Sequence, residues 1–306
     1  MVELRGIAID GQRVIATGSF DTHEAFSPKS INLGAGALVG MGALADAWVA
    51  AFDTNLVATW SKKLGAPPQL TRVISHRIAI DPITHAATVC GTFDTPTNFG
   101  GGMRTPTGNM TYQPDVFLVT LSGATGAYLS DITFGPPDYD SCDALEIDAA
   151  GGVHVAGSFD PGTLSLGGRT ATAVGDKDAF VARLVNGSAD YLVSFGTPAK
   201  ETLARVVTAS GLISGSFQGP VQIGGTSLTT TATTGAVLAQ LDASGMSTWA
   251  IPFGIEGATG IAAVAEVPGA VYVVGSFHGA VIVDGVRYES AGASTNDDVL
   301  IARIEP

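Results

Sequence analysis

Short apolar runs rich in Val, Ile, Ala and Phe alternate along the chain with stretches of Gly, Pro, Asp, Asn and Thr. Five of these runs close on a Gly-Ser/Thr-Phe tripeptide: Gly18-Ser19-Phe20, Gly91-Thr92-Phe93, Gly157-Ser158-Phe159, Gly215-Ser216-Phe217 and Gly275-Ser276-Phe277. The tripeptide glycines stand 73, 66, 58 and 60 residues apart. Three further landmarks keep step with them. A small-apolar run precedes each tripeptide (Gly6–Asp10, Arg77–Asp81, Ala144–Asp148, Ala204–Thr208, Gly260–Val264). Another follows some 20 residues or more later (Asp46–Phe52, Asp115–Leu121, Asp178–Leu184, Gly235–Leu241, Asp298–Ile304). A fourth ends in an aromatic or leucine plus glycine, at Gly65, Gly135, Gly196 and Gly254. Four landmarks in phase over five copies define an internal repeat.

Each unit reads as four short strands joined by turns such as Gly151-Gly152 and Asn186-Gly187. The runs are more continuously apolar than alternating, which predicts sheets covered on both faces. Four-stranded sheets covered by their neighbours are the blades of a β-propeller. The expectation is therefore an all-β fold: a single propeller of five blades, mostly four antiparallel strands each, in units near 1–65, 66–135, 136–196, 197–254 and 255–306. The Ala-rich window Ala37–Ala51 has helical composition, but its phase makes it a loop running into a strand. The last unit stops after its third strand. Either residues 1–4 pair across the seam, or an upstream segment has been trimmed, or the ring closes with one short blade.

The cadence of Gly152–Phe159, Asp178–Leu184 and Tyr191–Gly196 resembles the bacterial SBBP-type propeller repeats and, more loosely, the NHL repeats. The resemblance covers nearly the whole chain and is weakest in the fourth unit, where Thr234-Gly235 replaces the Asp start. It implies a propeller on an exported bacterial protein, extracellular, at the cell surface or periplasmic. It implies no catalytic residue.

Blade topology gathers the long insertions between second and third strands on one end of the disc: 21–45, 94–114, 160–177, 218–234 and 278–297. The signature at Leu166–Arg169, Ile223–Thr226 and Val283–Val286 predicts a small hairpin turn in each blade. Long loops on a rigid scaffold are the usual seat of binding. After each tripeptide stands Asp21, Asp94, Asp160, Gln218 or His278, a polar ring that could attract a ligand or Ca²⁺, or simply cap turns. The Asp opening the third strand (Asp46, Asp115, Asp178, Asp298) is expected to anchor its loop through backbone amides. Tyr112, Tyr139, Trp48 and Tyr288 lie in or near the same loops as candidate sugar-stacking rings, whereas Trp60 and Trp249 share a fourth-strand position that favours packing. Asp138, Tyr139, Asp140 and Asp143 make a local acidic cluster, read as a solvated loop or a ligand rim. His23 and His278, with Asp21 and Asp160, form the one acid–base grouping. His154 replaces a strand residue and is expected to pack.

With 28 Asp/Glu against 15 Lys/Arg, the net charge of −13 argues against nucleic-acid binding and against an anionic membrane surface. No stretch reads as a membrane span, and residues 1–5 carry no signal peptide. No nucleophile elbow, phosphate loop, zinc spacing or Ca²⁺ loop is present, so no cofactor is expected beyond a Ca²⁺ ion at the polar ring. Cys90 and Cys142 fall on the same end of adjacent blades, where a disulfide and two free buried thiols are both permitted. The sequence thus favours a noncatalytic binding or scaffold module, a monomer that recognises protein or glycan through its long-loop face. The alternative is a lyase or hydrolase with an Asp/His site at the axial mouth.

Overall fold

The computed structural model describes residues 2–21, 30–40, 45–65, 72–108, 113–198, 202–283, 285–291 and 297–305. The apolar runs form strands throughout, and no helix occurs among the described residues. The first sheet contains β1 (Val2–Ile9) and β2 (Arg13–Asp21). Its loop hairpin is β3 (Ser30–Asn32) with β4 (Ala37–Val39), and it is completed by β5 (Ala45–Asp53) and β6 (Ala58–Leu64). The second has β7 (Val73–Ile80), β8 (Ala86–Phe93), the hairpin β9 (Thr97–Asn98) with β10 (Met103–Arg104), β11 (Asp115–Ser122) and β12 (Tyr128–Phe134). The third has β13 (Ser141–Ile147), β14 (Val153–Phe159), the hairpin β15 (Thr163–Leu166) with β16 (Arg169–Thr172), β17 (Asp178–Val185) and β18 (Ser188–Phe195). The fourth has β19 (Thr202–Val207), β20 (Leu212–Phe217), the hairpin β21 (Val221–Ile223) with β22 (Thr226–Leu228), β23 (Gly235–Leu241) and β24 (Ser247–Phe253). The fifth has β25 (Glu256–Val267), the long β26 (Ala270–Val283), β27 (Val286–Glu289) and β28 (Asp298–Ile304). Within the window Ala37–Ala51, Ala37–Val39 and Ala45–Ala51 are strands, and residues 41–44 lie outside the described residues.

All pairings within the sheets are antiparallel, and the second and third strands of each blade pair across the intervening hairpin. The first strands β1, β7, β13, β19 and β25 pack beside one another in order, so they line the axis. The outer strands diverge, and the loop hairpins fill the widening gaps: β15–β16 lies against both β12 and β18, and β21 and β22 against β18 and β24. Each insertion therefore contributes a structural wedge as well as a surface.

The core lies between blades. Ile15, Val49 and Trp60 meet Val89, Phe117 and Leu121. Cys90, Leu118 and Phe134 meet Val155, Phe159 and Phe180. Val181, Tyr191 and Phe195 meet Ile213, Phe217 and Val237. Leu212, Leu238 and Phe253 meet Val273, Phe277 and Leu300. Burying a side chain of this size is worth roughly 1.5–3 kcal/mol, so the continuously apolar runs are explained by two buried faces. Trp48, a candidate exposed ring on sequence, is buried in β5 among Ala16, Phe20 and Ala50, with Ile31 and Leu38 of the hairpin packed on it. Cys90 and Cys142 form a disulfide joining the second and third blades.

The two terminal blade faces are uncovered. On β1, Ile7 and Ile9 are 58% and 68% exposed; on β28, Val299 and Ile301 are 71% and 73% exposed. Among the described residues Val2–Leu4 pairs with Gly18–Phe20 of β2, in the first sheet, and not across the seam with β28.

Candidate functional site

The repeat places the tripeptide Phe opposite the residue that opens the third strand: Phe20 with Asp46, Phe93 with Asp115, Phe159 with Asp178, Phe217 with Gly235 and Phe277 with Asp298. The residue after Phe therefore faces the residue before that position at the root of each long loop. In the third blade this couples Asp160 to Lys177, Oδ1 to Nζ 2.5 Å. In the fourth, Gln218 Nε2 donates to Thr234 Oγ1 at 3.4 Å, and in the fifth His278 Nδ1 lies 3.2 Å from Asp297 Oδ1. Asp94 is buried and accepts the Arg72 amide at 3.2 Å. Asp21 ends β2 opposite Ala45. His23 and Tyr112 lie outside the described residues.

The strand-opening carboxylates anchor the loops. Asp115 accepts the Thr107 amide and hydroxyl, each at 3.0 Å; Asp178 accepts the amides of Val174 and Gly175 at 2.8 and 3.1 Å; Asp298 accepts that of Ala291 at 2.6 Å. Asp46 pairs with Lys63 at 3.3 Å.

Two places on this end gather polar groups. The first joins the second and third blades. Lys177 donates to the Tyr139 carbonyl at 2.9 Å and its Nζ lies 4.6 Å over the exposed Tyr139 ring. The Tyr139 amide donates to Asp160 Oδ2 at 3.3 Å. The neighbouring acidic cluster is not uniformly solvated: Asp140 is fully buried. Burial, with the Asp115 carboxylate near, pushes the Asp140 carboxyl up to about 9, so it is protonated at neutral pH. Burial likewise raises Asp115 to about 6.

The second place is a cleft of about 450 Å³ between the inner strands of the fourth and fifth blades. Ser216, Thr234, Thr259, Ser276, His278 and Asp297 line it. One wall is stiffened by a threonine run: Thr230 Oγ1 donates to the Gly254 carbonyl at 3.0 Å, Thr231 Oγ1 to Ile255 at 2.6 Å, and the Thr233 amide to Gly257 at 2.8 Å. A rigid wall with several hydroxyls and one imidazole offers both donors and acceptors and little fixed charge. Among the described residues, Asp297 is the side-chain hydrogen-bond partner of the His278 ring.

The proposed grouping of Asp21, His23, Asp160 and His278 is not assembled by the described residues. Asp160 is engaged by Lys177 in the third blade, whereas His278 faces Asp297 in the fifth. Sequence reasoning missed Lys177 and Asp297. Their signal was the registration of Phe with the strand-opening residue, which fixes who stands opposite whom. Tyr288 sits exposed on β27, beside the last blade's hairpin rather than in the cleft. His154 is buried as expected, its Nε2 3.1 Å from Asp148 Oδ2, which also holds Arg183. Among the described residues, no group of three or more His, Cys, Asp or Glu side chains is placed to hold a metal ion. Nor is any helix long and apolar enough to cross a membrane.

No family model matches the sequence, and no curated protein matches it. Among solved structures, the chain is similar to the quinohemoprotein alcohol dehydrogenase of Comamonas testosteroni, at 10% identity and a TM-score of 0.36. It is also similar to the quinohemoprotein alcohol dehydrogenase ADHIIG of Pseudomonas putida HK5, at 10% identity and a TM-score of 0.33. Each match covers 90% of this chain but 56% of the enzyme's, so the chain spans little more than half their length. Those enzymes are β-propeller proteins, and the likeness concerns the fold alone. The five face-packed antiparallel sheets make this chain an all-β propeller.

Proposed function

We propose that the chain is a noncatalytic binding module, of the SBBP-like kind its repeats resemble, that takes a glycan on its long-loop face. The observation that carries this reading is the cleft between the fourth and fifth blades. Its size lies within the 300–1,000 Å³ range ordinary for small-ligand sites, and its hydroxyl lining matches the alternating donors and acceptors of a sugar. The Cys90–Cys142 disulfide supports an exported location, extracellular or at the cell surface, because such bonds persist in oxidising compartments. The acidic surface favours neutral or basic partners. A glycan array read with the native chain and His278→Ala tests the proposal. Retention of a defined glycan set, weakened about tenfold or more by the substitution, is the expected result; each tenfold is about 1.4 kcal/mol.

A second reading rests on the His278–Asp297 contact. A carboxylate on Nδ1 orients an imidazole for general acid–base work, which suits a lyase or hydrolase. Turnover in a hydrolase and lyase screen, abolished by both His278→Ala and Asp297→Asn, with an empty glycan array, would replace the first reading by this one.

A further inference from the structure

At the end of the disc opposite the long loops, rings from the fourth strands fill the gaps between blades. Trp60 of β6, Tyr191 of β18 and Trp249 of β24 hold one repeat position, opposite Ala51, Arg183 and Gln240 of the third strands. Trp60 packs on Gly126 and Tyr191 on Gly245, each the glycine of the turn between third and fourth strands in the following blade. A Cβ on those glycines would lie 2.7 and 3.0 Å from the ring. In the second blade the same position, opposite Thr120, is Ser130. The corresponding turn glycine of the third blade is Gly187, and a Cβ there would meet only Ile132 Cδ1, at 3.8 Å. A cavity of about 300 Å³ stands where the ring would be, lined by Ser130, Asn186 and Gly187, with apolar walls from Leu118, Ile132 and Leu184.

The same junction lacks a cation. In the third blade Asp148, just past β13, accepts from Arg183 Nε at 2.7 Å and lies 3.1 Å from His154 Nε2. Strand registers place Asp81 in the second blade where Asp148 stands, Thr88 where His154 stands and Thr120 where Arg183 stands. Thr88 and Thr120 bond each other through their hydroxyls at 3.0 Å. Asp81 accepts the amides of Ile83 and Thr84 at 2.7 and 3.2 Å and the Thr84 hydroxyl at 2.6 Å, all from its own turn. Among the described residues no Lys or Arg pairs with it, and His85 of that turn lies 3.6 Å from Asp10 of the first blade. The Asp81 carboxylate borders the cavity, 3.6 Å from where a Cβ of Gly151 would stand on the facing wall. Asp131 borders it too, but its carboxylate is held by Arg104 and Tyr128. The junction of the second and third blades thus lacks both the ring and the cation that the third blade presents to the fourth.

We propose that this cavity binds a small organic cation carrying a flat ring, an arylalkylammonium ion. The ring takes the place that Tyr191 fills one junction later, between Leu118, Ile132 and Leu184. The ammonium group meets Asp81 at the mouth, and the hydroxyls of Ser130, Thr88 and Thr120 offer further acceptors. Apolar walls with a few convergent polar groups are the usual make-up of a small-ligand site, and the volume lies at the lower end of the range for such sites. Among the described residues no Lys, Arg or His lines the cavity, so an anion finds no counter-charge there. The site lies on the end of the disc away from the long loops and is independent of the cleft lined by His278.

The test is calorimetric titration of the full chain with tryptamine. Indole-3-acetate supplies the same ring with the opposite charge, and n-propylamine the cation without the ring. Saturable binding of tryptamine is expected, with both comparison compounds weaker by about tenfold or more. Ser130→Tyr restores the ring of the third blade; it should abolish binding yet melt at or above the parent temperature, because it fills a cavity. Asp81→Asn keeps an oxygen for its turn amides and should weaken tryptamine by about tenfold or more, leaving indole-3-acetate no weaker. If Ser130→Tyr does not fold, Asp81→Asn decides alone. No saturable binding of tryptamine up to about 1 mM would overturn the proposal. So would equal affinity for indole-3-acetate, or tryptamine affinity unchanged in either folded variant.

Discussion

The α-carbon of Gly157 stands against the carbonyl oxygen of Ser141: a Cβ there would lie 1.9 Å from that oxygen. The same crowding recurs at Gly18 with Glu3, Gly91 with Ile74 and Gly275 with Gly260, at 1.9, 2.0 and 2.1 Å. In each case the first strand bulges beside this crossing, between Cys142 and Ala144 in the third blade. The tripeptide glycine is thus required by the bulged axial strand. Gly157→Ala is expected to destabilise by roughly 1–3 kcal/mol, the cost of overpacking against backbone that cannot rotate aside. Chemical denaturation reads it; an unchanged midpoint would show that the bulge yields.

The disulfide closes a loop of 52 residues between the second and third blades. Cys90→Ala with Cys142→Ala should cost about 2–4 kcal/mol, chiefly through the unfolded chain. Reduction of the native protein under denaturing conditions should produce the same loss on refolding in reductant, measured as the fall in urea midpoint.

Two aspartates should give opposite pH dependences. Asp140 titrates near 9 when folded against about 3.8 when unfolded, so its proton is held by the folded chain alone between those values. Its contribution is complete below pH 4 and is lost as pH rises toward 9. Asp140→Asn should flatten that fall, by up to about 1.4 kcal/mol per pH unit. Burial disfavours the Asp148 carboxylate, but hydrogen bonds from the Gly152 amide, Arg183 and His154 outweigh it and hold the group at about 2. Its contribution is present above pH 4 and lost as pH falls through 2. Asp148→Asn should therefore weaken the protein at pH 7 and lessen its acid sensitivity. Stability curves of both variants from pH 3 to pH 9 check the signs.

The uncovered face of β28 predicts tolerance. Val299→Lys with Ile301→Lys should change stability by less than about 0.5 kcal/mol, because neither side chain packs on another blade. A loss above about 1.5 kcal/mol, the value of burying such a side chain, would mean that this face is covered in solution.

The propeller was legible because its strongest signals are steric. Gly157 and its counterparts mark the axial crossing, and the apolar runs mark faces buried on both sides. The loop anchors were legible too, since Asp115 and Asp178 meet backbone amides close in sequence. The site was harder to read. Lys177 reaches Tyr139, in the connection that enters the third blade, across 38 residues, and nothing in its own segment announces that. Asp297 was hidden beside Asp298, whose repeat position drew the attention. Trp48 misled because a ring near a loop can point inward, and here the hairpin of the first blade closes over it. Asp140 looked solvated by composition, whereas its burial depends on how two blades meet.

Among the described residues the main contacts between blades are those of neighbours, and the disulfide bridges the second to the third. Such an array unfolds as a line of coupled units rather than as one sphere. The bridge makes the second and third blades the most persistent pair, and the blades farther from it open first. Amide exchange should accordingly run as a gradient, slowest around Cys90 and Cys142 and faster toward the first and fifth blades.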